Sequence, residues 1–265
     1  MSLSRLLNHY DQVVLDLDGC VWVGSRPIPG SAEAVGALRA AGKSIMFLTN
    51  DSRLSPEEYV RKLWSMGLQA SLEEVVTAGA AIQHMLAERG RATPTFVIGS
   101  PAVFRHVADS GQRIVNGTDR ASEAELVVVA GHDEFDFAEL TVATRAVLAG
   151  AEMLAADRDR TYPTDDGLTP GTGAIVTGLE FATERAATIV GKPNPQIFRT
   201  ALDRLGPGRT LVVGDRLDAD LAGAASVGLD GAVVLTGVTT RQQAEAAAEP
   251  APVAIAEDLR ELVMG

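Results

Sequence analysis

The sequence predicts an α/β protein built on a doubly wound parallel sheet with helices on both faces. Two observations support this fold class. Short runs of Val, Ile and Leu recur along the chain, and stretches with helix-start and helix-stop signals lie between them. Buried parallel strands are typically near-continuous apolar runs, and their alternation with helices indicates a βα repeat. The predicted strands are VVLDLD (13–18), IMFLT (45–49), TFVIG (95–99), LVVVAG (126–131), EMLAA (152–156), LVVG (211–214) and AVVLTG (232–237).

The segments between these runs carry helix boundaries. In SPEE (55–58), Ser55 is the predicted N-cap, Pro56 occupies the first helical position, and Glu58 completes a capping box. Residues 157–175 differ, because they are polar, rich in Gly and Pro, and without periodicity. We predict a long loop there, and such loops are often functional.

The composition disfavours several classes of partner. The chain has 265 residues, 46% of them hydrophobic, and a formal net charge of −12. This charge disfavours nucleic acids and anionic membranes. No apolar run approaches the roughly 20 residues of a membrane span, and the first residues lack a secretory signal layout. Cys20 is the single cysteine, so a disulfide within the chain is excluded and a reducing cytoplasm is expected.

Polar residues follow several predicted strands at the positions where ligands usually bind. In an open α/β sheet, ligands lie beyond the carboxyl ends of the strands, near a switch in strand order. We therefore expect one site to bring together Asp16 and Asp18 after the first strand, Thr49 and Asn50 after the second, Lys192 before a helix, and Asp215 after a later strand, followed by Asp218 and Asp220.

This set of side chains suits phosphoryl chemistry with a hard cation. Several carboxylates without a histidine favour oxygen coordination, and Mg²⁺ is expected because it takes one or two carboxylates and keeps oxygens of water or phosphate. A lysine and a hydroxyl nearby can hold a phosphate. One carboxylate can attack phosphorus, and another two residues away can handle the proton.

Four motifs of the chain resemble those of the haloacid dehalogenase superfamily: DLDGC (16–20), LTND (48–51), GKPNP (191–195) and GDRLDADL (214–221). Three longer segments are similar to its sugar-phosphatase-like branch, which includes p-nitrophenyl, phosphoglycolate and glycerol-3-phosphate phosphatases. These segments are DLDGCVWVGSRPIPGSAEAV (16–35), TYPTDDGLTPGTGAI (161–175) and VGKPNPQIF (190–198). The resemblance covers nearly the whole chain.

The resemblance implies a role for each acidic residue of the motifs. Asp16 would be the nucleophile that attacks phosphorus. Asp18 would protonate the leaving alkoxide and then activate water against the aspartyl-phosphate. The ligands of Mg²⁺ would be Asp16, the backbone carbonyl of Asp18, and Asp215. Asp220 would support the metal site without itself being a ligand.

The resemblance also implies which residues contact the substrate. Thr49, Asn50 and Lys192 would bind the phosphoryl oxygens, and Tyr162 would face the leaving group. Two positions depart from the family pattern. Asp51 stands where a second asparagine is common, and Asp157 replaces the asparagine of a cap motif. We expect these two aspartates to change substrate contacts, Asp51 being a candidate substrate-binding residue, and to leave the chemical core intact.

The same resemblance implies a domain organisation. Residues 1–79 and 188–265 would form a discontinuous, Rossmann-like core domain, and residues 80–187 would form an inserted α/β cap of the C2 type. The cap would close over the site. Members of this branch are often dimers through the cap, so we expect a homodimer.

The sequence therefore predicts a Mg²⁺-dependent phosphatase that acts through an aspartyl-phosphate. Its substrate would be a small phosphomonoester, such as glycerol 3-phosphate, 2-phosphoglycolate or p-nitrophenyl phosphate. The alternative is a non-catalytic binding or sensor protein on the same fold, which would not need both a nucleophile and an acid. A dinucleotide-binding oxidoreductase is disfavoured, because no G-x-G-x-x-G follows the first strand.

Overall fold

Two parallel sheets flanked by helices form the protein in the computed structural model, which describes residues 3–164 and 166–265. The strands in these residues are β1 (Gln12–Leu15), β2 (Trp22–Val23), β3 (Arg26–Pro27), β4 (Ser44–Thr49), β5 (Val75–Thr77), β6 (Pro94–Ile98), β7 (Arg113–Ile114), β8 (Leu126–Val129), β9 (Glu152–Ala155), β10 (Thr161–Thr164), β11 (Gly167–Pro170), β12 (Thr188–Ile189), β13 (Thr210–Gly214), β14 (Asp230–Val234) and β15 (Ala254–Ala256). The α-helices are α1 (Ser31–Ala40), α2 (Pro56–Ser65), α3 (Ala78–Glu88), α4 (Pro101–Asp109), α5 (Phe137–Leu148), α6 (Thr172–Thr183), α7 (Pro195–Leu205), α8 (Ala222–Ser226), α9 (Arg241–Ala246) and α10 (Leu259–Met264). The predicted α/β fold class is confirmed.

The first sheet has six strands in the order β15-β14-β13-β1-β4-β5, and neighbouring strands in this order are parallel. Strand β1 lies between β13 and β4. The next strands along the chain, β4 and β5, extend the sheet on one side of β1, and β13, β14 and β15 extend it on the other. Its apolar residues alternate between two layers: Val13 and Leu15 pack in one buried cluster and Val14 in the other. The switch in strand order at β1 opens a crevice at the carboxyl ends of the strands.

The second sheet has five parallel strands in the order β12-β9-β8-β6-β7. One apolar cluster includes Val14 and Met46 of the first sheet together with Val97 and Val128 of the second. Helix α3 contacts both α4 and α7, and it therefore lies between the two sheets. Thr188–Ile189, which begins the second segment of the predicted core domain, pairs with β9 of the second sheet. The predicted domain boundaries remain predictions.

All seven predicted strands are present, and the capping box of Ser55 and Glu58 opens α2 as expected. The prediction of a loop over residues 157–175 is wrong in part. Strands β10 and β11 form an antiparallel hairpin within it, and α6 begins at its end. The proline in TYPT and the glycine-started GLTP hid these short strands from an analysis based on apolar runs.

No helix in the described parts of the chain combines the length and the apolar character that crossing a membrane requires.

Candidate active site

The chain turns sharply after β1 and places two aspartates at the crevice. Strand β1 ends at Leu15, and the backbone of Asp16 donates to Val213 at 2.9 Å. Gly19 has a φ of +84°, and a Cβ at this position would lie 2.6 Å from a carboxylate oxygen of Asp215. Glycine at this turn thus permits both the backbone conformation and the close approach of Asp215.

Asp18 is held by a buried tryptophan. The Trp22 indole donates to Asp18 Oδ1 at 2.8 Å, and the Lys62 ammonium lies 4.1 Å from the centroid of the indole ring. Burial raises the pKa of Asp18, and the charge of Asp51 adds to the rise, while Lys62 opposes it. A carboxyl group that retains its proton more strongly than usual can act as a general acid.

Lys192 is the cation at the centre of the site. It is 4% exposed, and its ammonium donates to Asp16, to Asp220 Oδ1 at 2.7 Å, and to the Leu48 carbonyl at 3.3 Å. Burial disfavours its charged form, but Asp16 and Asp220 outweigh burial and raise the pKa of Lys192 above its usual range. The lysine therefore stays charged, which its predicted role in phosphate binding requires.

Asn50 fixes the backbone of this lysine. Its amide donates to the Lys192 carbonyl at 3.1 Å and accepts from the Lys192 N–H at 2.6 Å. Asn50 thus has a positioning contact that the sequence does not reveal, and its predicted contact with the substrate stays a prediction. Thr49 ends β4 beside it and accepts from the Asp51 N–H at 3.0 Å.

Three buried carboxylates cluster around Lys192. One oxygen of each of Asp16, Asp215 and Asp220 lies within 4.8 Å of the others. Asp215 Oδ2 accepts from the Val238 N–H at 2.6 Å, and Asp215 Oδ1 is buried without a hydrogen-bond partner among the described residues. Burial raises the pKa of Asp215, with Asp16 and Asp220 adding to the rise.

This donor set fits a divalent cation. A single ammonium cannot balance three buried carboxylates, and a buried oxygen without a partner is costly. All the donors are oxygens, as Mg²⁺ prefers. Asp220 was predicted to stand behind the metal site. The structure places one oxygen of its carboxylate within 4.8 Å of those of Asp16 and Asp215, and its supporting role stays a prediction. The Asp18 side chain points toward Trp22.

A cavity of about 450 Å³ opens over the cluster toward the second sheet. It is lined by eight of the predicted site residues: Asp16, Asp18, Thr49, Asn50, Asp51, Tyr162, Lys192 and Asp215. Asp220 is not part of this lining but reaches the site through Lys192. The strand-end pattern thus predicted residues that the fold does bring together.

A polar network forms the wall of the cavity opposite the cluster. Arg53 donates two hydrogen bonds to the Asp51 carboxylate, at 2.8 and 3.0 Å, and approaches Asp133 Oδ1 at 3.4 Å. The Tyr162 hydroxyl donates to the same Asp133 oxygen at 2.9 Å, and the Arg53 guanidinium lies 3.8 Å from the centroid of the Tyr162 ring. The network joins a loop of the first sheet to two segments of the second.

Two family models match the chain. A haloacid dehalogenase-like hydrolase model matches residues 13–113, and a HAD-hydrolase-like model matches residues 189–262. The D-glycerol 3-phosphate phosphatase of Mycobacterium tuberculosis is 35% identical over 98% of this chain and 73% of its own length.

The chain belongs to the haloacid dehalogenase-like hydrolases. Solved structures agree with this assignment. The glycerol phosphate phosphatase from Mycobacterium tuberculosis in complex with magnesium has a TM-score of 0.88 at 34% identity, over 99% of this chain and 79% of that one. The p-nitrophenyl phosphatase from Archaeoglobus fulgidus has a TM-score of 0.83 at 33% identity, over 96% and 98%. The predicted family resemblance is confirmed, and the relatives of this hydrolase are named as phosphatases.

Arg53, Asp133 and Arg216 are three of the cavity residues that sequence analysis of the hydrolase missed. Asp133 follows β8 at the carboxyl end of the second sheet, so the strand-end rule could have found it. Arg53 comes shortly after the LTND motif and Arg216 lies within GDRLDADL, but their pairing with acidic partners depends on the folded chain. Asp218, which was predicted to converge, is exposed and pairs with Arg216 at 3.0 Å.

Asp157 is a buried carboxyl group in the lining of the cavity. It accepts from the Asp159 N–H at 2.9 Å. Burial raises the pKa of Asp157 to about 8, and the charge of Asp159 adds to the rise. Because this pKa exceeds the value of about 4 in an unfolded chain, folding is coupled to proton uptake between about pH 4 and pH 8.

Substituting Asp157→Asn is expected to stabilise the hydrolase more at pH 8 than at pH 5. The folded state holds a proton that the unfolded state has lost, so the contribution of Asp157 to stability falls as pH rises through this window. The neutral amide keeps the acceptor for Asp159 and removes a penalty on the order of 5 kcal/mol at pH 8, against about 1 to 2 kcal/mol at pH 5. Thermal melts of both proteins in EDTA at the two pH values measure this. Equal differences in Tm at pH 5 and pH 8 would contradict it.

Proposed function

We propose that the protein is a Mg²⁺-dependent phosphatase that hydrolyses a small phosphomonoester through an aspartyl-phosphate on Asp16. The observation that supports this most is the buried cluster of Asp16, Asp215 and Asp220 around Lys192, at the floor of a cavity of about 450 Å³. A cavity of this size suits a small substrate. The named activities of the relatives point to the same reaction class.

The residues that would hold Mg²⁺ are Asp16, Asp215 and the backbone carbonyl of Asp18, with Asp220 beside them. When bound, the cation would offset the clustered carboxylates and the charge of the phosphoryl oxygens, which is a major part of catalysis in phosphoryl transfer. The unpartnered Oδ1 of Asp215 is the atom in this cluster most in need of such a ligand.

In the first step, a carboxylate oxygen of Asp16 attacks phosphorus and the bond from phosphorus to the alcohol oxygen breaks. Asp18 donates its proton to the departing oxygen, so the alcohol leaves neutral. Lys192 and Thr49 hold the phosphoryl oxygens, and Asn50 keeps the lysine in place through its two backbone hydrogen bonds.

In the second step, Asp18 is ionised and accepts a proton from water as that water attacks the phosphorus of the aspartyl-phosphate. The bond from phosphorus to Asp16 breaks, inorganic phosphate leaves, and both carboxyl groups return to their starting states. The hydrogen bond from Trp22 favours the ionised form of Asp18 and fixes its direction between the two steps.

The proposal also includes the cap domain and the homodimer that the family resemblance implies. Residues 80–187 would act as a cap over the cavity, and a homodimer in the cytoplasm would form through it. Exposed apolar side chains on α5 and α6 support an interface there: Phe137 is 79% exposed, Leu148 63% and Phe181 88%. Tyr162 and Asp51 on the cavity wall would contact the leaving group.

The test is phosphate release from a panel of small phosphomonoesters with Mg²⁺ and with excess EDTA. We expect release in Mg²⁺ and a loss of at least about 100-fold in EDTA, since a bound metal supplies several kcal/mol of charge stabilisation. A folded protein that binds Mg²⁺ and releases phosphate from no ester would instead support the non-catalytic binding alternative.

A further inference from the structure

We propose that the cavity selects phosphate esters of uncharged, hydroxylated alcohols and rejects alcohols that carry a carboxylate. The structural reason is that the basic side chains on the described cavity wall are already paired with carboxylates of the protein. This inference rests on the proposed function, because it concerns the alcohol released by that reaction, and it names the class to which that alcohol belongs.

The basic residues of the described wall are Arg53, His132, Lys192 and Arg216. Lys192 serves the phosphoryl end and is paired with Asp16 and Asp220. His132 lies 3.1 Å from the Glu139 carboxylate. Arg216 lies 3.2 Å from Asp159 and 3.0 Å from Asp218. These three side chains therefore offer no unpaired positive charge to a leaving group.

Arg53 is the remaining cation, and three side chains hold it in place. Asp51 occupies its guanidinium with two hydrogen bonds, Asp133 approaches it at 3.4 Å, and the Tyr162 ring lies against its face. Bidentate pairing and stacking on an aromatic ring both fix an arginine in one orientation. A substrate carboxylate would have to displace a protein carboxylate to reach this group.

The charges beside these cations make a carboxylate still less favourable. Asp51, Asp133 and Asp159 line the cavity. The carboxylates of Asp51 and Asp133 accept hydrogen bonds there. A carboxylate entering here loses water, gains no free cation, and is repelled by the neighbouring oxygens. An alcohol hydroxyl can donate to those same oxygens and can accept from hydroxyls such as that of Thr169.

The test compares two substrates that differ only at this end: racemic glycerol 3-phosphate and racemic 3-phosphoglycerate. A CH₂OH group in the first is a carboxylate in the second. We expect the wild-type protein to have a kcat/KM at least about 10-fold higher for glycerol 3-phosphate, since specificity of this kind arises from unpaired or repelling charges. Similar kcat/KM values for the two esters would overturn the inference and leave the proposed function standing.

Two variants test whether the carboxylate partners of Arg53 determine the preference for glycerol 3-phosphate over 3-phosphoglycerate. Asp133→Asn and Asp51→Asn each remove a carboxylate partner of Arg53, and we expect each to lower the ratio of kcat/KM values at least about 3-fold, mainly through the KM for 3-phosphoglycerate. Asp133 is 65% exposed at its side chain, so this variant is expected to fold even where Asp51→Asn does not.

The matched control is Asp203→Asn, which makes the same charge change at an exposed residue of α7 outside the cavity lining. For Asp203→Asn, the ratio of the kcat/KM values for the two esters is expected to equal that of the wild-type protein. An equal shift in Asp133→Asn and Asp203→Asn would show a bulk charge effect and overturn the assignment to Arg53. Absence of turnover of any ester by the Mg²⁺-bound protein would overturn the proposed function, and this inference with it.

Discussion

Substituting Asp16→Asn is expected to lower kcat by about 10⁴-fold or more, because the amide cannot attack phosphorus in place of the carboxylate. The same substitution is expected to leave the thermal stability of the metal-free protein unchanged or higher. Burial raises the pKa of Asp16. The negative charge of Asp16 also adds to the rise in the pKa of Asp215. Removing this charge relieves a repulsion that the folded protein maintains for its reaction.

Turnover of p-nitrophenyl phosphate and thermal melts in EDTA measure the two effects. Asp203→Asn serves again as the matched control, with no change expected in either measurement. Turnover by Asp16→Asn within 10-fold of the wild-type rate would contradict a nucleophilic role for Asp16. A large drop in Tm together with the lost turnover would indicate that the residue is needed mainly for folding.

Substituting Lys192→Met is expected to lower both activity and stability. It removes the ammonium that contacts Asp16 and Asp220 and leaves these two buried carboxylates without the cation that pairs with them. Breaking a buried ion pair from one side costs about 3–5 kcal/mol of stability. Losing a charge that holds the phosphoryl oxygens costs about 10²- to 10³-fold in kcat.

Added Mg²⁺ is expected to raise the Tm of Lys192→Met more than that of the wild-type protein, because Asp16 and Asp220 have then lost the ammonium that pairs with them. Thermal melts with EDTA and with Mg²⁺ measure this difference. Lys43→Met is the matched control: Lys43 precedes β4 at the opposite edge of the sheet and donates to the Tyr10 carbonyl. Equal Mg²⁺ effects in all three proteins would contradict the electrostatic account of the cluster.

The fold and the floor of the site could be predicted from the sequence for one physical reason. Parallel strands are buried on both faces, so they appear as apolar runs, and their carboxyl ends meet at one edge. Asp16, Thr49 and Asp215 each follow such a run, and the structure brings them to one cavity. The four motifs then matched the family shown by the comparisons.

The residues that form the wall of the cavity were harder to predict from the sequence. The pairing of Arg53 with Asp133 joins residues that lie 80 positions apart, and no local pattern encodes it. The hairpin of β10 and β11 is polar, so its strands lack the apolar alternation that marks a strand in a sequence. The place of Asp220 within the carboxylate cluster depends on the π-helical turn Leu217–Leu221, which sequence periodicity does not predict.

The central place of β1 has a consequence for synthesis of the protein on the ribosome. Gln12 of β1 is joined to Thr210 of β13 across a separation of 198 residues, and β13 is one of the two neighbours of β1. At about 5–20 residues per second, translation leaves that edge of β1 without its partner for about 10–40 s. The nascent chain thus carries an unpaired strand edge while the whole second sheet is being made, and this interval is when we expect it to depend most on chaperones.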